Sequence, residues 1–514
     1  MKRPTLKKTV SLALACVLSL SLLAGCGSSG SGDNSDKTVM TIGISSDLSS
    51  LDPHLQNDTA SGYATRHIYS TLVLLDETTN EFVGDLAESW EAVDDVTYNF
   101  KLKEGVTFHN GDTLTSEDVK FSLERQKESA KVGHLVSMIE SVEVVDDLNF
   151  VIHLNSPSNA LISSLAHMGS AILDKTYTEE LEASGKTLAD APMGTGQYTF
   201  KEWVPGASFE LTKYDNYFDP ERAAQNDGLI FKIIPEETSR TIALENGEID
   251  VMLNVPANDA DRIRESESLA LDEFGSTRSE FLLFNVTKAP FDNVKVRQAM
   301  NYAINKDDVL TAMVNGAGKT TNEYFNSAAI GYEEVDGIYT YDPAKAKELL
   351  AEAGYGDGFT FTCYLAGDAR NRAATVIQAN LQEIGVTMNI EMMESATFYE
   401  RTGKGEHQAA ISGWIANAEP DNTYRPLFTS YSVGDGGNRS FYSNPEVDAL
   451  VDDAAVNPDP AAVSADHKQI LEILVNDAIW VPLNEWTGMV ARQANLQGIG
   501  LSAIGMERFE GLHY

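Results

Sequence analysis

Between Phe359 and Met392 lies a pattern that commits the second half of this chain to an α/β arrangement. Phe359, Phe361, Cys363 and Leu365 alternate with polar neighbours, which predicts a strand. Ala373, Ile377, Leu381 and Ile384 recur at helical spacing, and Gly385 supplies a stop. Val386, Met388, Ile390 and Met392 then alternate again. Strand, helix and strand in so short a span make a βαβ unit. Upstream, Asp342 caps a helix with Pro343 in its first turn, Gly354 at its end, and Ala346, Leu349, Leu350 and Ala353 as its buried stripe. Further helices are expected over about 293–304 and about 460–476. The early part reads differently. Val96, Tyr98, Phe100 and Leu102 predict a half-buried strand. The similar units Val93-Asp94-Asp95-Val96-Thr97 and Val145-Asp146-Asp147-Leu148-Asn149 predict hairpin turns of one antiparallel layer. Between them, Thr115 with Asp118 three residues on predicts a capped helix that buries Val119 and Leu123. The fold class is mixed α/β, with an antiparallel portion early.

The N-terminus predicts export. Lys2, Arg3, Lys7 and Lys8 precede an apolar run from about Thr9 to Leu23, too short for a transmembrane helix, so 1–25 is expected to be a signal peptide. Leu23-Ala24-Gly25-Cys26 resembles a bacterial lipobox, in which Cys26 is lipidated and becomes the new N-terminus. Residues 26–37 are Gly- and Ser-rich and read as a flexible tether. Each buried lipid methylene contributes about 0.8 kcal/mol, so two acyl chains anchor firmly. The chain has three cysteines. Cys16 leaves with the signal and Cys26 carries lipid, so Cys363 has no intrachain disulfide partner. The exported protein must rely on its core, and its length points to two or more domains.

Charge and motifs exclude several classes. With 38 basic and 77 acidic residues the net charge is −39, which opposes binding to nucleic-acid phosphates or anionic lipid headgroups. No Gly-x-Ser-x-Gly elbow, His-Glu-x-x-His helix or Walker loop occurs. Gly194-Thr195-Gly196 lacks the context of a dinucleotide site. The nine histidines form no i, i+3 or i, i+4 pair, and His109 reads as a turn or core residue. No enzyme, metal site or cofactor is expected.

Several segments together resemble a known family. They are DLAESWEAVDDVTYNFKLKEGVTFHNGDTLTSEDVKFSLER from Asp85, MGTGQYTF from Met193, GEIDVM from Gly247, FNVTKAPFDNVKVRQAMNYAINKDDVL from Phe284 and YDPAKAKELLAEAGY from Tyr341. They are similar to the family 5 extracytoplasmic solute-binding proteins of peptide and nickel ABC transporters, from about residue 40 to the C-terminus. The resemblance implies a two-lobe, type II periplasmic-binding-protein-like fold with an inserted subdomain, closing on a ligand. Lobe 1 would comprise 38–55, 186–275 and 486–514, its insert 56–185, and lobe 2 residues 276–485. It implies a monomer that hands a small solute or peptide to a permease and ATPase complex at the outer face of the cell membrane. Peptides lead among the expected ligands; nickel chelates, oligosaccharides and opine- or glutathione-like solutes are alternatives, and a cell-surface hydrolase or sensor lipoprotein is a role of another class.

The resemblance also gives an address to GWIANAEPDN, residues 413–422. Peptide binders of the family carry Gly-Trp and then an aspartate that pairs with the ligand ammonium. Gly413 and Trp414 match, whereas Asn417 occupies the aspartate position. Glu419 or Asp421 could supply the missing charge, or both could be solvated loop acids. Trp414, with Tyr424 nearby, is expected to wall the pocket. Arg370, rather than Arg372, is the expected partner of a ligand carboxylate, since a bidentate guanidinium suits that task.

Overall fold

The computed structural model describes residues 38–76, 81–335, 339–434 and 437–514. The expected leader, Cys26 and the tether at 26–37 lie outside them. Among the described residues no helix is long and apolar enough to cross a membrane.

One mixed sheet of eleven strands organises the chain. Its middle is two long antiparallel strands, Leu269–Phe284 and Trp480–Gln493. Leu269–Gly275 pairs with residues 487–493 and Ser279–Leu283 with residues 480–485, with an irregularity between the two stretches. There the ladder is replaced by other partners: the Thr277 N–H donates to the Ala503 carbonyl at 2.9 Å, and the Asn326 amide donates to the Ser276 carbonyl at 3.1 Å. A break of this kind bends and twists a strand. Outward from Trp480–Gln493 follow Val251–Met252, Val39–Ile44, Gly228–Ile233, Ser208–Lys213 and Tyr198–Val204. Outward from Leu269–Phe284 follow Ala409–Ile415, Phe359–Leu365 and Val386–Met392. The same two strands therefore carry both halves of the sheet.

The second half is built as its periodicity predicts. Phe359–Leu365 and Val386–Met392 are parallel, in register from Phe359 opposite Val386, and the helix Asp368–Glu383 connects them. Gly385 adopts φ 84°, a left-handed conformation that glycine takes without a Cβ clash. Phe361, Cys363, Leu365, Ala373, Ile377, Leu381 and Met388 are all buried in one core. Each large apolar side chain there contributes about 1.5–3 kcal/mol. Burial pushes the Cys363 thiol up to about 12, so it packs as an inert apolar group. The flanking helices are Val294–Ala303, Pro343–Glu352 and Pro460–Asp477, and the Asp342 carboxylate accepts from the Lys345 N–H at 2.9 Å.

The early antiparallel layer is a separate four-stranded sheet in the order Ala87–Asp94, Thr97–Leu102, Asn149–Leu154, Ile139–Val144. Each Asp-Asp pair turns one hairpin: Asp94 accepts from the Val96 N–H at 3.0 Å, and Asp146 from the Leu148 N–H at 2.9 Å. The helix Ser116–Lys127 begins with the Thr115 N–H donating to Asp118 at 2.8 Å, and it shares a core with Phe100 and Phe150, whose rings stack at 5.2 Å.

Candidate functional site

The strand Ala409–Ile415 carries Gly413 and Trp414 into the site region, and a short loop follows before the helix Asp421–Phe428. Gly413 sits against a neighbour that explains it: a Cβ there would lie 2.5 Å from the Glu280 carboxylate. Glu280 is fully buried and receives the Arg370 guanidinium through two bonds, at 2.8 and 3.2 Å, with Arg278 at 2.7 Å. Arg370 is thus engaged by an internal carboxylate. Trp414 packs beside Phe281 and Tyr424 in an apolar cluster, and its indole N–H donates to the Thr423 hydroxyl at 3.1 Å. Asp421 forms an ion pair with Arg425 at 2.7 Å, while its other carboxylate oxygen is buried without a partner.

A cavity of about 340 Å³ opens beside this loop. Ile415, Asn417, Ala418, Glu419 and Asn422 form one part of its wall. Of the residues expected at a site, Asn417 and Glu419 reach this wall; Gly413, Trp414, Asp421 and Arg370 do not line it. Asn417 is exposed and accepts from the Glu419 N–H at 2.9 Å, which orders the loop. Glu419 is held at both oxygens, by the Ser163 hydroxyl at 2.5 Å and the Asp421 N–H at 3.2 Å. Burial raises its carboxyl above the ordinary value. Both bonds leave it with lone pairs to accept from a ligand N–H.

The remaining walls come from distant segments: Asp58, Arg66 and Tyr69; Ser163 and His167; Tyr217 and Arg222; Met506 and Arg508. Three arginines at one cavity stand out in a chain of net charge −39. Arg222 is fixed by Asp85 at 2.7 Å and Asp219 at 2.8 Å, Arg66 donates to the Met506 carbonyl, and Arg508 lies 3.6 Å from Glu510. Burial lowers His167 to about 4, so its ring is neutral at physiological pH. Ala418 and Glu419 also border a side chamber of about 170 Å³ with Tyr424, Val451 and His467. The arginines and Ser163 were not legible in the sequence. They come from four segments without a shared motif, and only the fold brings them together. Among the described residues no three His, Cys, Asp or Glu side chains are placed to hold a metal ion.

This cavity has room for a small solute, apolar walls and charges of both signs. Comparison with known proteins agrees. Heme-binding protein A of Haemophilus influenzae is 30% identical over 99% of both chains. A glutathione-binding protein, GsiB of Shigella flexneri, is 30% identical over 89% of this chain and 91% of its own. The ABC transporter-associated periplasmic binding protein DppA of Helicobacter pylori, solved with the peptide STSA, is 31% identical, superposes with a TM-score of 0.76, and covers 92% of this chain and 98% of its own. The fold is therefore the two-lobe fold of periplasmic binding proteins, and these relatives bind solutes rather than transform them. The family described as bacterial extracellular solute-binding proteins, family 5, middle region, matches residues 81–435, and this chain belongs to it.

Proposed function

We propose that this protein captures di- or oligopeptides outside the cell and delivers them to an ABC permease, held to the membrane by lipid on Cys26. The observation that carries the ligand class is the cavity itself, with Arg66, Arg222 and Arg508 for carboxylates and Glu419 for an amine. In this reading Glu419, two residues beyond the Asn417 position, meets the ligand ammonium, and Arg370 serves the core. The lobes are divided at the boundaries set out above, the cleft between them holds the ligand, and the unit is a monomer. A glutathione-like ligand is the second reading. Three arginines suit a solute with two carboxylates, and one relative bears that name.

Mass spectrometry of solutes co-purifying with the protein tests the class. The expected result is an amino-bearing peptide, and a neutral sugar would overturn it. Calorimetric titration with the solute so identified should show Glu419→Gln weakening binding by about 1–2 kcal/mol, because a charge-assisted hydrogen bond becomes a neutral one. Unchanged affinity would remove Glu419 from the site.

The anchor has its own test. Cys26→Ser should shift the protein from the membrane to the soluble fraction, or leave it unprocessed. Normal cleavage with full membrane retention would refute lipidation at this residue.

A further inference from the structure

Asn159 joins two parts of the chain that are far apart in sequence. It follows the strand Asn149–Leu154 and precedes the short helix Leu161–Leu165. Its backbone N–H donates to the Ala455 carbonyl at 2.9 Å, and its side-chain amide donates to the Ala454 carbonyl at 2.9 Å and the Asn457 carbonyl at 2.8 Å. These carbonyls stand at and just beyond the end of the helix Pro445–Ala454. The last carbonyls of a helix have no partner within it and carry partial negative charge, so they accept readily from an outside donor. A few residues on, the Ser163 hydroxyl donates to Glu419 at the cavity wall. Asn457 is itself held, its N–H and its amide both donating to Asp453, at 2.8 and 3.0 Å. One exposed residue thus places three donors on a preset acceptor end some three hundred residues away in the chain.

We infer that Asn159 is the latch of the shut form: it caps the helix Pro445–Ala454 from the inserted subdomain, and these bonds are made only when the lobes close. Water satisfies the same carbonyls when the cleft opens, so the latch adjusts how long closure lasts without contributing to either lobe's fold. This rests on the two-lobe reading and is independent of which solute is bound. Asn159 is a positioning residue, since its bonds are to protein and not to ligand.

Spin labels on Ser156→Cys and Val456→Cys flank the latch in the full-length chain, with Cys16 and Cys26 changed to serine and Cys363 buried. Pulsed dipolar spectroscopy then reports shut and open populations, with and without a mixture of random tripeptides as probe. The unmodified latch should show a short-distance population. Asn159→Ala, which keeps the backbone bond, should lower the shut-to-open ratio about threefold. Asn159→Asp, which sets a carboxylate against two carbonyls, should lower it about tenfold. Asn155→Ala is the control. Its amide donates to the Ser137 carbonyl within the same subdomain, and its loss should leave the ratio unchanged. Two distances with the same ratio in Asn159→Asp would overturn the latch while leaving the two-lobe reading intact. A single fixed distance in every variant, with and without tripeptides, would overturn both.

Discussion

Glu280→Ala should destabilise the protein by roughly 3–5 kcal/mol in urea-induced unfolding, the usual cost of removing one partner of a buried ion pair. Glu280 is fully buried, and the paired Arg370 side chain is only 14% exposed. Without the carboxylate, a guanidinium remains in a site with little water. Arg278 would lose the same partner, although it is more exposed and also stacks on the Trp486 ring at 4.0 Å. The double variant Glu280→Ala, Arg370→Ala should cost less than the sum of the single variants, by about 1–3 kcal/mol, because the charge left unpaired is then gone as well. Additive losses, or a Glu280→Ala cost below about 1 kcal/mol, would show that the pair is not a structural unit. The same geometry predicts the glycine beside it. Any side chain at position 413 must displace the carboxylate that Arg370 holds.

Much of the fold was legible because its signals are local. The alternation at Phe359–Leu365, the stripe at Ala373, Ile377 and Leu381, and the glycine at 385 concern neighbours in sequence, and each became the element its periodicity describes. Asp94-Asp95 and Asp146-Asp147 were readable for the same reason, since an Asx side chain bonding two residues on completes a turn by itself. Pairing over long separations was not readable. Leu269–Phe284 meets Trp480–Gln493 across some two hundred residues, and nothing in either segment names the other. The candidate site divides along the same line. Asn417 and Glu419 lie on one loop and could be proposed together. Arg66, Arg222 and Arg508 are single arginines in unremarkable contexts, and Arg370 has the right chemistry for a ligand carboxylate but meets Glu280 first.

The second large effect expected is on acid stability, between pH 6.5 and pH 5.5. His54, His67, His109, His167, His407 and His467 are each lowered to about 4, in every case chiefly by burial. Their ordinary value is about 6.5. The unfolded chain therefore takes up protons at these six positions as the pH falls through 6.5, while the folded chain does not until about 4. Stability from neutral, buried imidazoles is fully present above about 6.5 and is lost as the pH falls toward 4. Carboxyls raised by burial oppose the trend, Asp118, Glu419 and Asp466 among them. Burial and the nearby Glu485 and Glu334 raise Glu323 to about 7, so the folded chain binds that proton first and gains stability as the pH falls. Lys306, lowered to about 7 by burial, acts mainly above this window. Six strongly lowered histidines outweigh these raised carboxyls and leave a net uptake of protons on unfolding near pH 5.5. At about 1.4 kcal/mol per pH unit per proton, the expected loss is on the order of 5 kcal/mol across that single unit. Ordinary carboxylates titrate lower, so the histidines dominate this window. Urea midpoints at pH 6.5, 6.0 and 5.5 measure it directly. A stability flat to within about 1 kcal/mol over the three would mean that these rings take up protons in the folded state as they do in the unfolded chain, and His167 would then face the cavity as a cation rather than as a neutral donor.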